Sequence, residues 1–459
     1  MKIYNTMSRM KEALAPRIPG EIKMYSCGVT VYDLSHVGHA RMLMVFDVIS
    51  RYLRFAGYRV TFVRNFTDID DKIIRRAAQE GVSAREVSKR NVAAFHEDMA
   101  ALGVLPPDVE PKATEHLPEM IGLIERLVAK GYAYTVDGDV YFEVRRFPAY
   151  GKLSGKNLDE LQAGARVEVD ERKRDPRDFA LWKSAKPGEP AWESPWGSGR
   201  PGWHIECSAM AVRYLGESFD IHGGGEDLIF PHHECEIAQT EADTGQPFAR
   251  YWVHNGMVNM GREKMSKSLG NTLTIRDLVA RHDPAALRLF LLGTHYRSPL
   301  EWSEERVEDS ARALQRLWRP IDEAARHAEA RMAAGQPLPA ELAGFRQRFI
   351  DAMDDDFNTP EALGALFDFS RALRSTDIAP VTLVRGAQEL KTLAGALGLQ
   401  GPVRAGLDES RIDLLIEERR EARRERNFRR ADEIRAEIEQ LGAILEDTPT
   451  GTVWRWKGR

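Results

Sequence analysis

From Ile22 to Val31 the chain reads Ile-Lys-Met-Tyr-Ser-Cys-Gly-Val-Thr-Val, which predicts a mostly buried strand ending in a small-residue turn. Residues 38–56 place Met42, Val45, Phe46, Ile49, Tyr52 and Leu53 at helical spacing. Tyr58 to Phe66 is again a short apolar run, read as a buried strand. Strand, helix, strand at this length predicts a βαβ unit, the building block of a doubly wound parallel sheet. Such α/β sheets bind ligands at the carboxyl ends of their strands. Residues 110–200 break the pattern with clusters such as Tyr150-Gly151-Lys152-Leu153-Ser154 and Trp192-Glu193-Ser194-Pro195-Trp196-Gly197, so they are read as an insertion. The α/β pattern returns at 202–260, and 303–400 is Ala-, Leu-, Arg- and Glu-rich with few breakers, which predicts helices. After a Gly/Pro-containing linker near 399–408, the last fifty residues predict a charged helical pair and a short apolar tail ending Val453-Trp454-Arg455-Trp456.

A chain of 459 residues exceeds what one core sustains, so two to four domains are expected. Apolar residues at 43% and charged residues at 29% describe an ordinary soluble globular protein. The net charge of −5 gives no global basic footprint but leaves room for a local basic face. No apolar run is long enough for a membrane span, and the N-terminus lacks the layout of a signal peptide. Three dispersed cysteines, Cys27, Cys207 and Cys235, are too few for a disulfide framework. A cytoplasmic protein with metal-binding, catalytic or buried thiols is expected.

His36-Val37-Gly38-His39 falls between the first strand and the first helix. A helix N-terminus there offers unpaired N–H groups and a positive dipole end to phosphate. Gly38 permits close approach of a ligand, and two histidines can stabilise charge during nucleotidyl transfer. Alone, the tetrapeptide fits a solvated loop equally well. Lys264-Met265-Ser266-Lys267-Ser268 lies far downstream, and its lysines are compact cations suited to phosphates. A lone Lys-Ser pair is usually a surface loop. An intact five-residue string, paired with HxGH in this order, carries more weight.

Together the two strings resemble the HIGH and KMSKS signatures of class I aminoacyl-tRNA synthetases. The resemblance implies a Rossmann-like catalytic domain in which both loops embrace ATP. His36 and His39 would contact the transition state, Gly38 would lie under the adenine, and Lys264 and Lys267 would hold the phosphates. Val37 stands where the signature has isoleucine, a mild apolar change.

Cys27 ends the first strand, Cys207 lies in Gly202-Trp203-His204-Ile205-Glu206-Cys207-Ser208-Ala209-Met210, and His232 and Glu236 lie in Phe230-Pro231-His232-His233-Glu234-Cys235-Glu236. Pro231 at a helix start makes His232 and Glu236 an i,i+4 pair on one face. Two thiolates, an imidazole and a carboxylate make a plausible tetrahedral zinc set. The spacing fits no zinc-finger pattern, and on spacing alone two buried cysteines and a capped helix are the plainer account. These strings, with Cys27-Gly28-Val29-Thr30-Val31-Tyr32-Asp33, resemble the cysteine-specific branch of the same synthetase family. That resemblance implies one zinc per chain on Cys27, Cys207, His232 and Glu236. Two departures stand out: Val29 replaces a usual proline, and Cys235 replaces a common asparagine. Helical geometry turns Cys235 about 100° from Glu236, which favours a buried thiol.

The same resemblance places Gly28, Thr30, Thr67 and Trp203 at the amino-acid pocket. Asn65-Phe66-Thr67-Asp68-Ile69-Asp70-Asp71-Lys72 otherwise reads as an N-cap with solvated acids. In Phe219-Asp220-Ile221-His222-Gly223-Gly224-Gly225-Glu226-Asp227-Leu228, His222 and Gly224 are expected at ATP, and Asp227 at the substrate amine or the ribose. Serine and cysteine differ by one atom, which shape alone discriminates by only about 1–3 kcal/mol. Zinc that binds a thiolate would discriminate without an editing site.

Asp283-Pro284-Ala285-Ala286-Leu287-Arg288 resembles the start of the stem-contact region after KMSKS. The final segment, rich in arginine from Arg419 to Arg435, resembles a small anticodon-reading domain; Arg429, Asp432, Asp447 and Trp454 are expected at tRNA. For any single arginine, a solvated helix paired to Glu417, Glu421 and Glu425 is the plainer account. The resulting division is 1–110 and 201–255 for the two catalytic halves, 111–200 for the insertion and 256–305 for the KMSKS and stem-contact region. A DALR-like helical bundle follows at 306–400 and the anticodon-binding domain at 405–459. The implied activity is ATP-dependent cysteine activation and transfer to tRNA(Cys). Zn2+ and ATP with Mg2+ are the cofactors expected. A monomer with no membrane partner is expected. A mycothiol-pathway cysteine ligase would share the adenylate chemistry but lack residues 405–459. A non-catalytic RNA-binding relative would have lost HxGH or KMSKS.

Overall fold

The protein is described by a computed structural model covering residues 1–156, 171–260, 263–264, 273–327, 337–375, 377–402, 409–448 and 451–456. Two compact units divide it, Met1–Gly401 and Pro402–Arg459. In the first, a hairpin of β1 (Lys2–Asn5) and β2 (Met10–Ala13) precedes β3 (Glu21–Ser26), α1 (Val37–Phe55) and β4 (Arg59–Arg64). Helices α2 (Asp71–Glu80), α3 (Ala84–Ala101) and α4 (Leu117–Ala129) lead to an antiparallel sheet of β5 (Ala133–Val136), β6 (Asp139–Phe142), β7 (Phe179–Ser184) and β8 (Gly199–Pro201). The α/β pattern resumes with α5 (Trp203–Leu215), β9 (Phe219–Gly225), α6 (Glu234–Thr244) and β10 (Ala249–Asn255). A small sheet of β11 (Val258–Met260), β12 (Glu263–Lys264) and β13 (Leu300–Glu301) follows, with α7 (Ile275–Arg281) and α8 (Pro284–Leu292) between its strands. Helix α9 (Glu304–Ala324) and helices Ala340–Asp354, Thr359–Ala372 and Pro380–Ala396 complete the unit.

The main sheet is parallel throughout, in the order β10-β9-β3-β4. Its pleat sorts side chains by rows. Register aligns Phe62, Met24, Ile221 and Tyr251, and this row packs against α1 and the helical bundle. The next row, Val63, Tyr25, His222 and Trp252, lies against α5 and α6. The sheet is therefore covered on both faces, as strands with near-continuous apolar runs require. From β3 the chain moves outward through α1 to β4, and from β9 outward through α6 to β10. The carboxyl ends of β3 and β9 thus form the switch point where α/β sheets bind ligands.

Helix α1 starts where His36 accepts from the Gly38 N–H and His39 accepts from the His36 N–H, a reciprocal cap. Most of it is buried, including Arg41 and Asp47, because it is wedged between the sheet and the bundle. Helix α8 has its own start signals, Asp283 as cap and Pro284 in the first turn. It delivers Arg288, 1% exposed, to Asp47 on α1, while the Arg288 Nε donates to the Leu397 carbonyl at 2.8 Å. Removing one member of a buried pair leaves an uncompensated charge, typically at about 3–5 kcal/mol. Arg51 also reaches Asp47, at 2.8 Å, and softens the loss. Arg288→Leu is expected to cost about 2–3 kcal/mol, read as a lowered urea midpoint, and Asp47→Leu in the same chain should restore part of it.

The second unit holds helices Glu409–Arg424 and Phe428–Gln440 and a hairpin of β14 (Ala443–Thr448) and β15 (Gly451–Trp456). Ile412, Leu415, Ile434, Ile438 and Leu445 form its small core. The tail predicted as a short apolar run is paired, because Ala443 to Leu445 lay an apolar face on the helical pair. Among the described residues, no helix is long and apolar enough to cross a membrane.

Candidate metal centre and active site

Cys27 leaves β3 with its N–H donated to the Gly223 carbonyl at 3.1 Å, which fixes the thiol at the switch point. Helix α5 brings Cys207 to it, with the two sulfurs 3.6 Å apart. Glu236, in the first turn of α6, places Oε1 3.2 Å from the Cys27 sulfur and 3.0 Å from His232 Nε2. The ligand atoms of Cys27, Cys207, His232 and Glu236 all lie within 4.8 Å of one another, and all four residues are buried. Two Zn–S bonds of about 2.3 Å at a tetrahedral angle set their sulfurs about 3.7–3.8 Å apart, so the donor set and its spacing fit zinc. Helix α6 itself begins at Glu234; the His232–Glu236 pair forms because a wide turn, Ile229–His233, runs directly into it. Cys235 points elsewhere, its sulfur 3.3 Å from the Tyr150 hydroxyl, and burial pushes its thiol well up.

A second group, Cys27, His222, His233 and Glu236, is equally compact. His222 Nε2 lies 2.7 Å from Glu236 Oε2, the oxygen turned away from His232. We read that histidine as the hydrogen-bond partner that orients the carboxylate, as ligands in metal sites usually require. His204 Nδ1, 2.8 Å from His232 Nδ1, does the same for the imidazole. Burial pushes the Glu236 carboxyl up, but His222 and His232 outweigh it and hold it well below the usual range. Burial also opposes a charged His232, yet Glu236 and Cys207 push it up to about 10. Cys207, despite burial, is brought down to about 6 by the Cys27 hydrogen bond and by His232, whereas burial raises Cys27. The cluster thus favours the charged forms of Cys207 and His232 and the neutral form of Cys27.

The residues expected at the amino acid gather beside this cluster. Gly28 follows Cys27; a Cβ there would stand 1.5 Å from the Asn65 carbonyl oxygen. Asn65 Oδ1 accepts from the Gly28 N–H at 2.9 Å and lies 3.6 Å from the Cys207 sulfur. Thr30 and Thr67 pair across an isolated parallel bridge. The Thr67 hydroxyl donates to Glu206 at 2.7 Å, and burial holds that carboxyl well above its ordinary range. Trp203 is 39% exposed and stacks on His232 with ring centroids 4.2 Å apart. The aspartates after Thr67 have local duties: Asp68 accepts from Thr114, Asp70 caps α2, and Asp71 pairs with Lys183 and Arg200.

The nucleotide-facing expectations divide. His36 and His39 stack at 3.8 Å over the start of α1. A Cβ on Gly38 would come 3.0 Å from the His36 ring, a tight contact that the ring would have to relieve. His222, expected at ATP, is buried behind Glu236 and stacked on Trp252 at 4.5 Å. Gly224 is buried too, and a Cβ there would meet the Leu228 side chain at 2.8 Å. Asp227 is exposed on the turn after β9. Lys264 ends the strand β12, and Lys267 lies outside the described residues.

In the second unit, Arg429 and Asp432 are exposed on the helix Phe428–Gln440, with Arg429 3.3 Å from Glu433. Asp447 and Trp454 lie on facing strands of the hairpin, opposite Thr452 and Leu445. The arginines are laced with glutamates, Arg420 with Glu417 at 2.7 Å and Arg411 with Glu437 at 3.0 Å. Sequence reasoning missed His204, Asn65 and Glu206 as supports of the site. All three stand in the strings that carried the ligands and Thr67, but only the fold shows which side chains meet.

Comparison with known proteins accords with this geometry. Residues 14–312 match the class I (C) tRNA synthetase catalytic domain, 348–400 the DALR domain and 407–455 the cysteinyl-tRNA ligase anticodon binding domain. A cysteine–tRNA ligase from Geobacter sulfurreducens is 53% identical over the whole of both chains. One from Alkalilimnicola ehrlichii is 54% identical over 99% of each. Among solved structures, methionyl-tRNA synthetase of Mycobacterium tuberculosis with methionyl-adenylate shares the fold at 17% identity and a TM-score of 0.59, covering 82% of this chain and 92% of that one. A parallel sheet with HxGH at its first helix, a buried cysteine–histidine–glutamate cluster at its switch point and these full-length matches converge: the chain belongs to the cysteine–tRNA ligase family of class I aminoacyl-tRNA synthetases.

Proposed function

We propose that this chain activates L-cysteine with ATP and transfers the cysteinyl group to the 3′ end of tRNA(Cys), choosing its amino acid through a zinc ion on Cys27, Cys207, His232 and Glu236. The observation that carries the reading is the convergence of those four donors within 4.8 Å at the end of β3. Bound there, zinc supplies a soft Lewis-acid site that favours a thiolate over a serine hydroxyl. Gly28 lets the backbone come close to the substrate, Trp203 walls the pocket, and Glu206 fixes the rotamer of Thr67. His36, Gly38 and His39 present the start of α1 to the nucleotide, where N–H groups and the helix dipole favour phosphate. Lys264 and Lys267 take the triphosphate with its Mg2+, and Asp227 the substrate amine or the ribose. Arg429, Asp432, Asp447 and Trp454 face the tRNA anticodon. The match at 407–455 supports tRNA over an amino sugar as the acceptor.

The test is charging of purified tRNA(Cys) with cysteine and with serine, by zinc-loaded and metal-stripped protein. Cysteine charging that needs zinc, with serine left uncharged, is expected. Zinc-independent charging, or comparable use of serine, contradicts the reading. A second expectation follows from protonation. Cys27 and His232 must each lose a proton to ligate, so zinc uptake near neutral pH should release about two protons. Zinc affinity should therefore fall as pH is lowered. Calorimetry in buffers of different ionisation enthalpy checks this; release of no protons would contradict the donor set.

A further inference from the structure

Arg41 has no place in the chemistry above, yet it is 1% exposed and two residues beyond His39 on α1. A buried guanidinium is costly unless its donors are used. Nη1 donates to the Met257 carbonyl at 2.9 Å, and Nη2 to the carbonyls of His295, at 3.2 Å, and Ser298. Met257 directly precedes β11, and Ser298 stands two residues before β13. The Met257 carbonyl also accepts from the Leu300 N–H at 2.9 Å, so Arg41 grips the place where these strands begin to pair. Strand β11 pairs in turn with β12, whose last residue is Lys264. Burial lowers the Arg41 guanidinium only to about 10, with Glu226 opposing, so it remains a cation at neutral pH.

The other side of the Lys264-Met265-Ser266-Lys267-Ser268 string is tied to the same helix start. Val37 donates to Leu273 at 3.0 Å, Ile275 donates to Ser35 at 3.0 Å, and His36 pairs with Thr274 in an antiparallel bridge. Backbone bonds thus hold the downstream root against the HxGH segment, while upstream the side chain of Arg41 makes the connection. Its planar fork can serve three carbonyls at once, which a lysine ammonium on a flexible stem cannot.

We propose that Arg41 is a positioning residue for adenylate formation, clamping strand β11, which pairs with the Lys264-bearing β12, to the helix that carries His36 and His39. The inference rests on the reading of those two segments as the ATP-handling elements. It does not involve zinc: the carbonyls it grips lie just ahead of β11 and in the segment leading into β13, not in the segments that carry the metal ligands.

The test uses the full-length, zinc-loaded chain in cysteine-dependent ATP–pyrophosphate exchange. Arg41→Met is expected to lower kcat about 10–100-fold, as a displaced reacting group does, with the KM for cysteine and the zinc content within about twofold of wild type. Arg41→Lys should recover part of the lost kcat, since it keeps the charge and one or two of the bonds. If Arg41→Met does not fold, Gly256→Ala tests the same clamp without touching Arg41. A Cβ there would sit 2.7 Å from the Ser298 backbone and spread the gripped segments. It should show the same split between kcat and KM. Wild-type kcat in folded Arg41→Met, or in Gly256→Ala where Arg41→Met does not fold, overturns the proposal. So does a loss of kcat matched by equal losses of zinc and cysteine affinity, which would mark a merely structural residue. If the wild-type chain itself shows no cysteine-dependent exchange, the functional reading fails instead, so the two failures are distinguishable.

Discussion

Cys207→Ser is expected to lose zinc and cysteine activation together while keeping its fold. Cys207 is 1% exposed, and its sulfur stands 3.6 Å from both the Cys27 sulfur and Asn65 Oδ1. Serine fills nearly the same space, so packing changes little. Its hydroxyl, however, is a harder and far more basic group than the thiol, which the site brings down to about 6. If a site of this kind binds zinc with about 12 kcal/mol shared over four ligands, the variant forfeits on the order of 3 kcal/mol, a drop of over 100-fold in affinity. Metal analysis after gel filtration, read beside ATP–pyrophosphate exchange, checks the prediction. Cys235→Ser is the control: its sulfur meets Tyr150, so zinc content should stay at the wild-type level. Equal zinc retention in both variants would remove Cys207 from the donor set.

Gly28→Ala is expected to be the most damaging single methyl group that can be added to the site. The new Cβ would lie 1.5 Å from the Asn65 carbonyl oxygen, a backbone atom that no rotamer change can move aside. The β3 and β4 extensions would have to separate, and three things would move with them. The Gly28 N–H would leave Asn65 Oδ1, Cys27 would shift against Glu236, and the Thr30–Thr67 bridge would open. Overpacking usually costs about 1–3 kcal/mol; here the clash is with backbone, so a loss beyond about 3 kcal/mol is expected. Cysteine-dependent exchange should fall by at least about 100-fold, with zinc retention falling too. A variant that keeps wild-type exchange and thermal midpoint would mean the pocket does not rely on this close approach.

The framework was legible because it rests on local pattern. Met42, Val45, Phe46, Ile49, Tyr52 and Leu53 define α1 by spacing alone, and the apolar runs around it define β3 and β4. The ligand set was legible only through resemblance. Cys27, Cys207 and the His232–Glu236 pair come from three distant segments, and no spacing rule joins them until the sheet closes. His222 shows the limit from the other side. Its glycine-rich neighbourhood suggested a nucleotide contact; its contact with Glu236 follows from strand alternation, which sets it on the row of Tyr25 and Trp252, and was not legible in the sequence. Glycines there answer to packing as much as to a ligand, since a Cβ on Gly223 would strike Phe46 and the Val253 carbonyl. The C-terminal hairpin was missed because its apolar face is short and its partner helices are mostly charged.

That a metal reads the substrate by its sulfur is tested most directly by zinc K-edge X-ray absorption on the zinc-loaded protein, alone and with each amino acid. Two sulfur neighbours should be found in the protein by itself, rising to three with cysteine and staying at two with serine. A sulfur count that does not change when cysteine binds would contradict the account.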